Sequence, residues 1–176
     1  MAQPTDEEIM IQVKNGDLDA LSILFTRYKT YLYNFYLRMG MDESNALDFT
    51  QQVFYRILKY RQSYMEGNKF KTWIFKIARN VMNKELEKRH WQPMELNEAM
   101  AYATDDSSIE KEEAYRLLHH CINKLSGIDR EVIALHRFQG MKYDEVASIT
   151  GLTVAAIKVR AHRAMEKLRK YYFELA

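Results

Sequence analysis

The chain has 176 residues, 47% apolar and 28% charged, with a formal net charge of +2. That is globular material for one ordinary domain or two small ones, and it excludes a disordered tail. With two prolines, six glycines and one cysteine, no strand-and-turn pattern stands out, no internal disulfide or cysteine-rich zinc site can form, and an all-α fold is expected.

The opening residues, MAQPTDEEIM, are acidic and polar and do not read as a signal peptide. No run of about 18 apolar residues occurs, so no membrane span is expected. The default is a reduced cytoplasm. Thr5 stands three residues before Glu8, ahead of Ile9, Met10 and Val13, which is a capping box opening a helix. Asn15-Gly16-Asp17 breaks it. A long helical pattern runs from about Leu18 to Met39, with an apolar stripe of Leu21, Leu24, Phe25, Tyr28, Leu32 and Phe35. Gly40 stops it, and Asp42 starts another helix that ends near Arg61. A polar loop holding Gly67 and Asn68 leads into a fourth helix, from Phe70 to about His90. Residues 91–109 contain Pro93 and Asp105-Asp106-Ser107-Ser108 and read as a linker. Helices return at about 110–125, 128–139, 143–150 and 153–172, punctuated by Ser126-Gly127, Gln139-Gly140 and Gly151. The expectation is two small helical domains, 5–90 and 110–174, joined by a flexible acidic linker.

The charge is distributed in blocks. Lys69 to His90 holds seven Lys/Arg against two acids, Gln92 to Glu113 seven acids against one lysine, and Val154 to Lys170 six cations against Glu166. Two basic segments separated by an acidic one suggest two polyanion contacts joined by a connector.

The second basic segment carries the sharpest motif, TGLTVAAIKVRAHRA at 150–164. At about 100° per residue, Ile157, Ala161, Ala164 and Leu168 share one face. Ala155, Ala156, Val159, His162, Arg163 and Lys170 lie opposite, flanked by Lys158 and Arg160. Thr153 is placed to cap this helix. Gly151 supplies a left-handed turn after YDEVASIT, whose Ala147 points inward. That is a helix-turn-helix. A recognition helix enters a major groove about 12 Å wide, where small leading residues let the backbone approach and cations one or two turns later reach phosphates or guanine edges.

Two further stretches carry information. NALDFTQQVFYRILKY, 45–60, puts Asp48, Gln51, Gln52 and Tyr55 on one margin, apart from Phe49, Val53, Phe54 and Ile57. An exposed polar–aromatic strip of this kind invites a protein partner, although an ordinary amphipathic helix has the same pattern. NKFKTWIFKIARNVMNKELEKRH, 68–90, interleaves Phe70, Trp73 and Phe75 with Lys76, Arg79 and Asn80. Aromatic platforms and cations together hold unstacked single strands, at ~1–3 kcal/mol per stacked base. Ile74, Ile77 and Val81 are expected in the core, with Trp73 at least half buried.

Together these stretches resemble a bacterial RNA polymerase sigma factor of the extracytoplasmic-function (ECF) type, a two-domain branch of the sigma-70-like family. LDFTQQVFYRI is similar to the family's core-binding segment and FKTWIFKIARNVMNKELEKR to the helix that melts and captures the minus-ten element. LSGIDREVIALHRFQGMKYDEVASITGLTVAAIKVRAHRAMEKLR is similar to the domain that reads the minus-thirty-five element. The resemblance covers about residues 9–90 and 110–172. It implies that Asp48, Gln51, Gln52 and Arg56, beside Tyr55, contact the polymerase clamp helices. It implies that the loop from about Tyr64 to Lys69, with Asn68, receives a flipped base of the non-template strand, and that Asn80 lies beside that strand with Trp73, Lys76 and Arg79. Lys158, Arg160, His162 and Arg163, with Thr153, Ala155, Ala156 and Val159, take the positions that face upstream DNA. The sequence departs from its relatives at Lys84, where many carry Asp, at Val159 and His162, and at Lys142, where Ser or Thr often caps the next helix.

The implied partners are core RNA polymerase, promoter DNA and an anti-sigma factor, with no small-molecule substrate and no cofactor or metal. Self-masking by the linker charges is the alternative to an anti-sigma factor. A path for the acidic linker through a polymerase channel stands beside a plain solvated connector. Two rival readings differ in class. A conventional helix-turn-helix regulator that acts without joining polymerase explains 128–172 and leaves 70–90 unused. An enzyme has little to build on: His119, His120 and Cys121 are adjacent, which suits neither a zinc site nor i, i+4 ligands on a helix face.

Overall fold

The computed structural model describes residues 3–89 and 109–175, and the expected linker lies outside them but for Ile109. Among the described residues the chain is helical with no strand, as expected, and it divides into two compact units, residues 3–33 with 44–89 and residues 34–43 with 109–175.

In the first unit, α1 (Asp6–Lys14) opens on the anticipated capping box: Thr5 Oγ1 accepts from Glu8 N–H and Glu8 Oε2 from Thr5 N–H. It buries Ile9, Met10 and Val13 completely. Helix α2 (Leu21–Arg38) contributes Leu24, Tyr28 and Leu32, and α3 (Glu43–Tyr60) contributes Ala46, Phe49, Val53, Phe54 and Ile57. A short 3-10 turn (Arg61–Ser63) and an exposed loop lead to α4 (Phe70–Arg89), which buries Phe70, Ile74, Phe75, Ala78 and Val81. Two expectations change here. Phe25 is 39% exposed and lies edge-on to Phe54 instead of inside the core, with Lys29 over its ring. Ile77 is half-buried.

In the second unit, α5 (Ile109–Asn123), α6 (Gly127–Ile133) and α8 (Val154–Leu175) contribute to a core that includes Cys121, Ile122, Leu125, Ile133, Ala164 and Leu168, and α7 (Tyr143–Thr150), with Val146, Ala147 and Ile149 buried, packs on α8. The helix expected over 128–139 does not stay regular. After Ile133 it widens into a π-helical turn, Ala134–Phe138, closed by Gln139 N–H to the Ala134 carbonyl at 3.2 Å. The chain then reverses at Gly140, φ +66°, and His136 Nδ1 donates to the Met141 carbonyl at 2.7 Å. Lys142 supplies no capping oxygen; its own N–H bonds Glu145 Oε2 at 2.8 Å, so α7 keeps half of a capping box. Cys121 is buried, and burial pushes its thiol pKa up.

The segment 34–43 packs within this unit through carbonyl contacts. Arg130, only 7% exposed, donates to the carbonyls of Asn123, Leu125 and Met39. His119, 2% exposed, donates Nε2 to the Leu37 carbonyl at 3.1 Å. Burial depresses the His119 pKa; the Leu37 bond opposes this, and Arg130, Arg38 and His120 add to it. The unfolded chain therefore takes up this proton first as pH falls. The stability contributed by neutral His119 is present above about pH 6.5 and is lost below it, toward the lower folded pKa. Urea midpoints are expected to drop between neutral pH and about pH 5.5, and a His119→Asn variant is expected to show a shallower drop. Parallel pH profiles for the two proteins would remove His119 as the cause.

Candidate nucleic-acid interface

The turn between α7 and α8 follows from a few local bonds. Gly151 takes φ +77°, with its N–H on the Ala147 carbonyl at 2.9 Å. A side chain there would meet no neighbour, so the demand for glycine is purely backbone strain. Thr153 Oγ1 accepts from Ala156 N–H at 3.2 Å and starts α8 as anticipated. Helix α8 buries Ile157, Ala161, Ala164 and Leu168, which leaves Val154, Ala155, Lys158, Val159, His162 and Arg163 exposed and Ala156 half-exposed. The small leading residues floor an open depression of about 530 Å³ that extends to Arg163 and Lys167.

The cations on this face are not equivalent. Arg160, expected beside the DNA, donates Nη1 to Asp129 Oδ1 at 2.9 Å, and Lys167 Nζ lies 3.6 Å from Oδ2. Asp129 is nearly buried, yet its pKa is lowered: burial alone would raise it, and bonds from Arg160 and Ser126 with the charge of Lys167 outweigh that. The Arg160 side chain is still 41% exposed, so it is held and not hidden. His162 sits 3.4 Å from Glu166 at i, i+4, an ion pair only when the imidazole is protonated. Lys158 and Arg163 have no acidic partner among the described residues.

Asp129 was absent from the sequence expectations, and Lys167 entered only as one of the six cations between Val154 and Lys170. Ser126-x-x-Asp129 has capping-box spacing, and Ser126 Oγ does accept from Asp129 N–H, so the position was readable. Its pairing with a residue 31 positions away was not.

In the first unit, Trp73, Lys76 and Asn80 follow one another on α4 at steps of three and four, so they share a face. Lys76 and Asn80 are exposed; Trp73 and Arg79 are half-buried. Trp73 packs edge-on to Tyr64, centroids 5.1 Å apart, and tilted to Phe70 at 6.1 Å. Phe70 and Phe75, interleaved with the cations in the sequence, are wholly buried and cannot stack on a base. Asn68 lies in the exposed loop, its N–H on the Met65 carbonyl at 3.2 Å and its carbonyl accepting from the Tyr64 hydroxyl.

On α3, Asp48, Gln51 and Tyr55 are exposed and Gln52 and Arg56 half-buried. Leu47, 53% exposed, continues this strip toward the N-terminus. The i, i+4, i+8 spacing of Leu47, Gln51 and Tyr55 would have revealed it.

A helix-turn-helix with a cationic outer face defines a DNA-binding protein, and the other helical unit carries a helix face of mixed aromatic and cationic side chains. Two family models match, one in each half of the sequence. The model described as Sigma-70 region 2 matches residues 24–92, and the one described as Sigma-70, region 4 matches residues 115–168. RNA polymerase sigma factor CarQ of Myxococcus xanthus is 29% identical over 94% of this chain and 97% of its own length. ECF RNA polymerase sigma factor SigW of Bacillus subtilis is 27% identical over 93% of this chain and 95% of its own. The sigma factor RpoE of Bartonella quintana, solved with the anti-sigma factor NepR, has the same fold: TM-score 0.73 at 22% identity, covering 86% of this chain and 95% of that one. The chain belongs to the sigma-70 family of RNA polymerase sigma factors, in its ECF branch.

Proposed function

We propose that this chain joins core RNA polymerase, recognises and melts promoter DNA, and so directs transcription initiation. Residues 5–90 act as region 2 and 110–174 as region 4, joined by the linker 91–109. Asp48, Gln51, Gln52, Tyr55 and Arg56 on α3 meet the polymerase. Trp73, Lys76, Arg79 and Asn80, with Asn68 in the preceding loop, hold the melted strand. Thr153, Ala155, Ala156, Lys158, Val159, His162 and Arg163 of α8 face the upstream duplex, and Arg160 adds a guanidinium oriented by Asp129. The chain performs no chemistry of its own and needs no cofactor or metal; the polymerase makes the RNA, in the cytoplasm. An anti-sigma factor holds it inactive, a partner of the kind seen with the fold neighbour from Bartonella quintana.

The observation that carries this reading is the presence, in one chain and in family order, of the Trp73–Lys76–Asn80 face and the α8 cation face. A conventional regulator would use only the second. Run-off transcription on genomic DNA, with core polymerase alone and with this chain added, separates the two. New discrete start sites sharing two upstream elements are expected. Duplex binding with no new start sites would favour the conventional regulator.

A further inference from the structure

Helix α1 precedes residue 24, where the match to the region 2 family model begins, yet it is bonded to both ends of the loop that follows Tyr64. At the near end, Lys14 Nζ donates to the Tyr64 carbonyl at 2.6 Å, and Gln62 Nε2 donates to the Lys14 carbonyl at 2.8 Å. At the far end, a Glu7 carboxylate oxygen accepts the N–H of Phe70, the first residue of α4, at 2.9 Å. Glu7 and Lys14 lie seven residues apart, about two helical turns, so they share one face of α1 and span the base of the loop.

The brace is itself fixed. Ile9, Met10 and Val13 are fully buried. Asp6 accepts from Arg27 at 2.6 Å and from the Tyr28 hydroxyl. Between the pinned ends the loop is open: Met65 is 63% exposed, Glu66 and Asn68 are exposed, and Gly67 turns with φ +90°. Buried Tyr64 folds the loop back through its hydroxyl bond to the Asn68 carbonyl. Burial, reinforced by the charges of Glu7 and Asp6, pushes that hydroxyl up to about 12, so it remains a donor at neutral pH.

A loop that must accept an unstacked base loses affinity to its own ordering unless it is ordered in advance. We propose that α1 is a brace whose Glu7 and Lys14 preorganise the 64–69 loop for capture of the melted non-template strand. Both are positioning residues and neither touches DNA. This rests on the reading of that loop given under Proposed function.

The test uses holoenzyme assembled from core polymerase and the full chain. Its probe is a fluorescent single-stranded oligonucleotide copied from the non-template strand at a start site mapped by run-off transcription. Lys14→Met, which keeps the stem and removes the ammonium, is expected to weaken strand capture about tenfold. Core affinity and upstream-duplex affinity should stay at wild-type values, and Lys14→Arg should recover most of the loss. Wild-type strand capture by Lys14→Met, alongside a clear loss in Asn80→Ala, overturns the brace and leaves the strand-binding reading standing. Equal losses in strand, duplex and core binding also overturn it, because they mark a general structural role. If Asn68→Ala and Asn80→Ala both bind the strand normally, the underlying reading fails and takes the brace with it. Should Lys14→Met not fold, Glu7→Ala is judged by the same outcomes.

Discussion

Replacing Lys158 and Arg163 together with alanine is expected to weaken binding of the upstream promoter duplex about a hundredfold, at ~1–3 kcal/mol for each well-made cation contact. Affinity for core polymerase should be unchanged. These two side chains are exposed on α8, and neither has an acidic partner among the described residues, so no internal ion pair must break before they meet DNA. Arg163 alone should give a smaller loss of the same kind. If Lys158 meets a phosphate, its removal should also flatten the dependence of log affinity on log salt by about one unit. Binding isotherms at several salt concentrations, beside a core-polymerase titration, read both effects. Equal loss of duplex and core binding would mean that the pair supports the fold and not the contact. Arg160 is the poorer choice for this experiment: its substitution also strips nearly buried Asp129 of its main partner.

Ile157→Ala should have the largest effect on folding, lowering the stability of the second unit by ~2–5 kcal/mol. Ile157 is fully buried in the first turn of α8, and its N–H bonds the Thr153 carbonyl at 3.0 Å. Truncation there leaves a cavity beneath α8, the helix that packs on α5, α6 and α7. A control two residues along, on the exposed side of the same helix, makes the prediction sharp. Val159 is 48% exposed, and Val159→Ala should change stability by less than about 0.5 kcal/mol. Urea unfolding followed by circular dichroism distinguishes them; similar midpoints for the two variants would show that the motif's core does not depend on Ile157.

Much of the architecture was readable before any coordinates. Thr5-x-x-Glu8 and Thr153 marked helix starts, and Gly151 marked the reversal, because caps and left-handed turns are made by residues three or four apart. The stripe Ile157, Ala161, Ala164 and Leu168 was readable for the same reason. Periodicity failed where the helix itself departed from period, as at the π turn of Ala134–Phe138, and where an aromatic found an edge position, as Phe25 did on Phe54. In the aromatic–cationic helix the residue types alone left three rings available for a strand. Burial removes Phe70 and Phe75 and leaves Trp73 half-open.

By itself, then, the amino-acid order determined most of the helices and the inward face of most of them, since both rest on short-range spacing, and it carried motifs that resemble those of the family. Tertiary structure alone decided which cations are available and what steadies the loop. Asp129 reaches Arg160 across 31 positions and Glu7 reaches Phe70 across 63. No local pattern encodes such bonds: they exist only once packing has brought the two segments within about 3 Å.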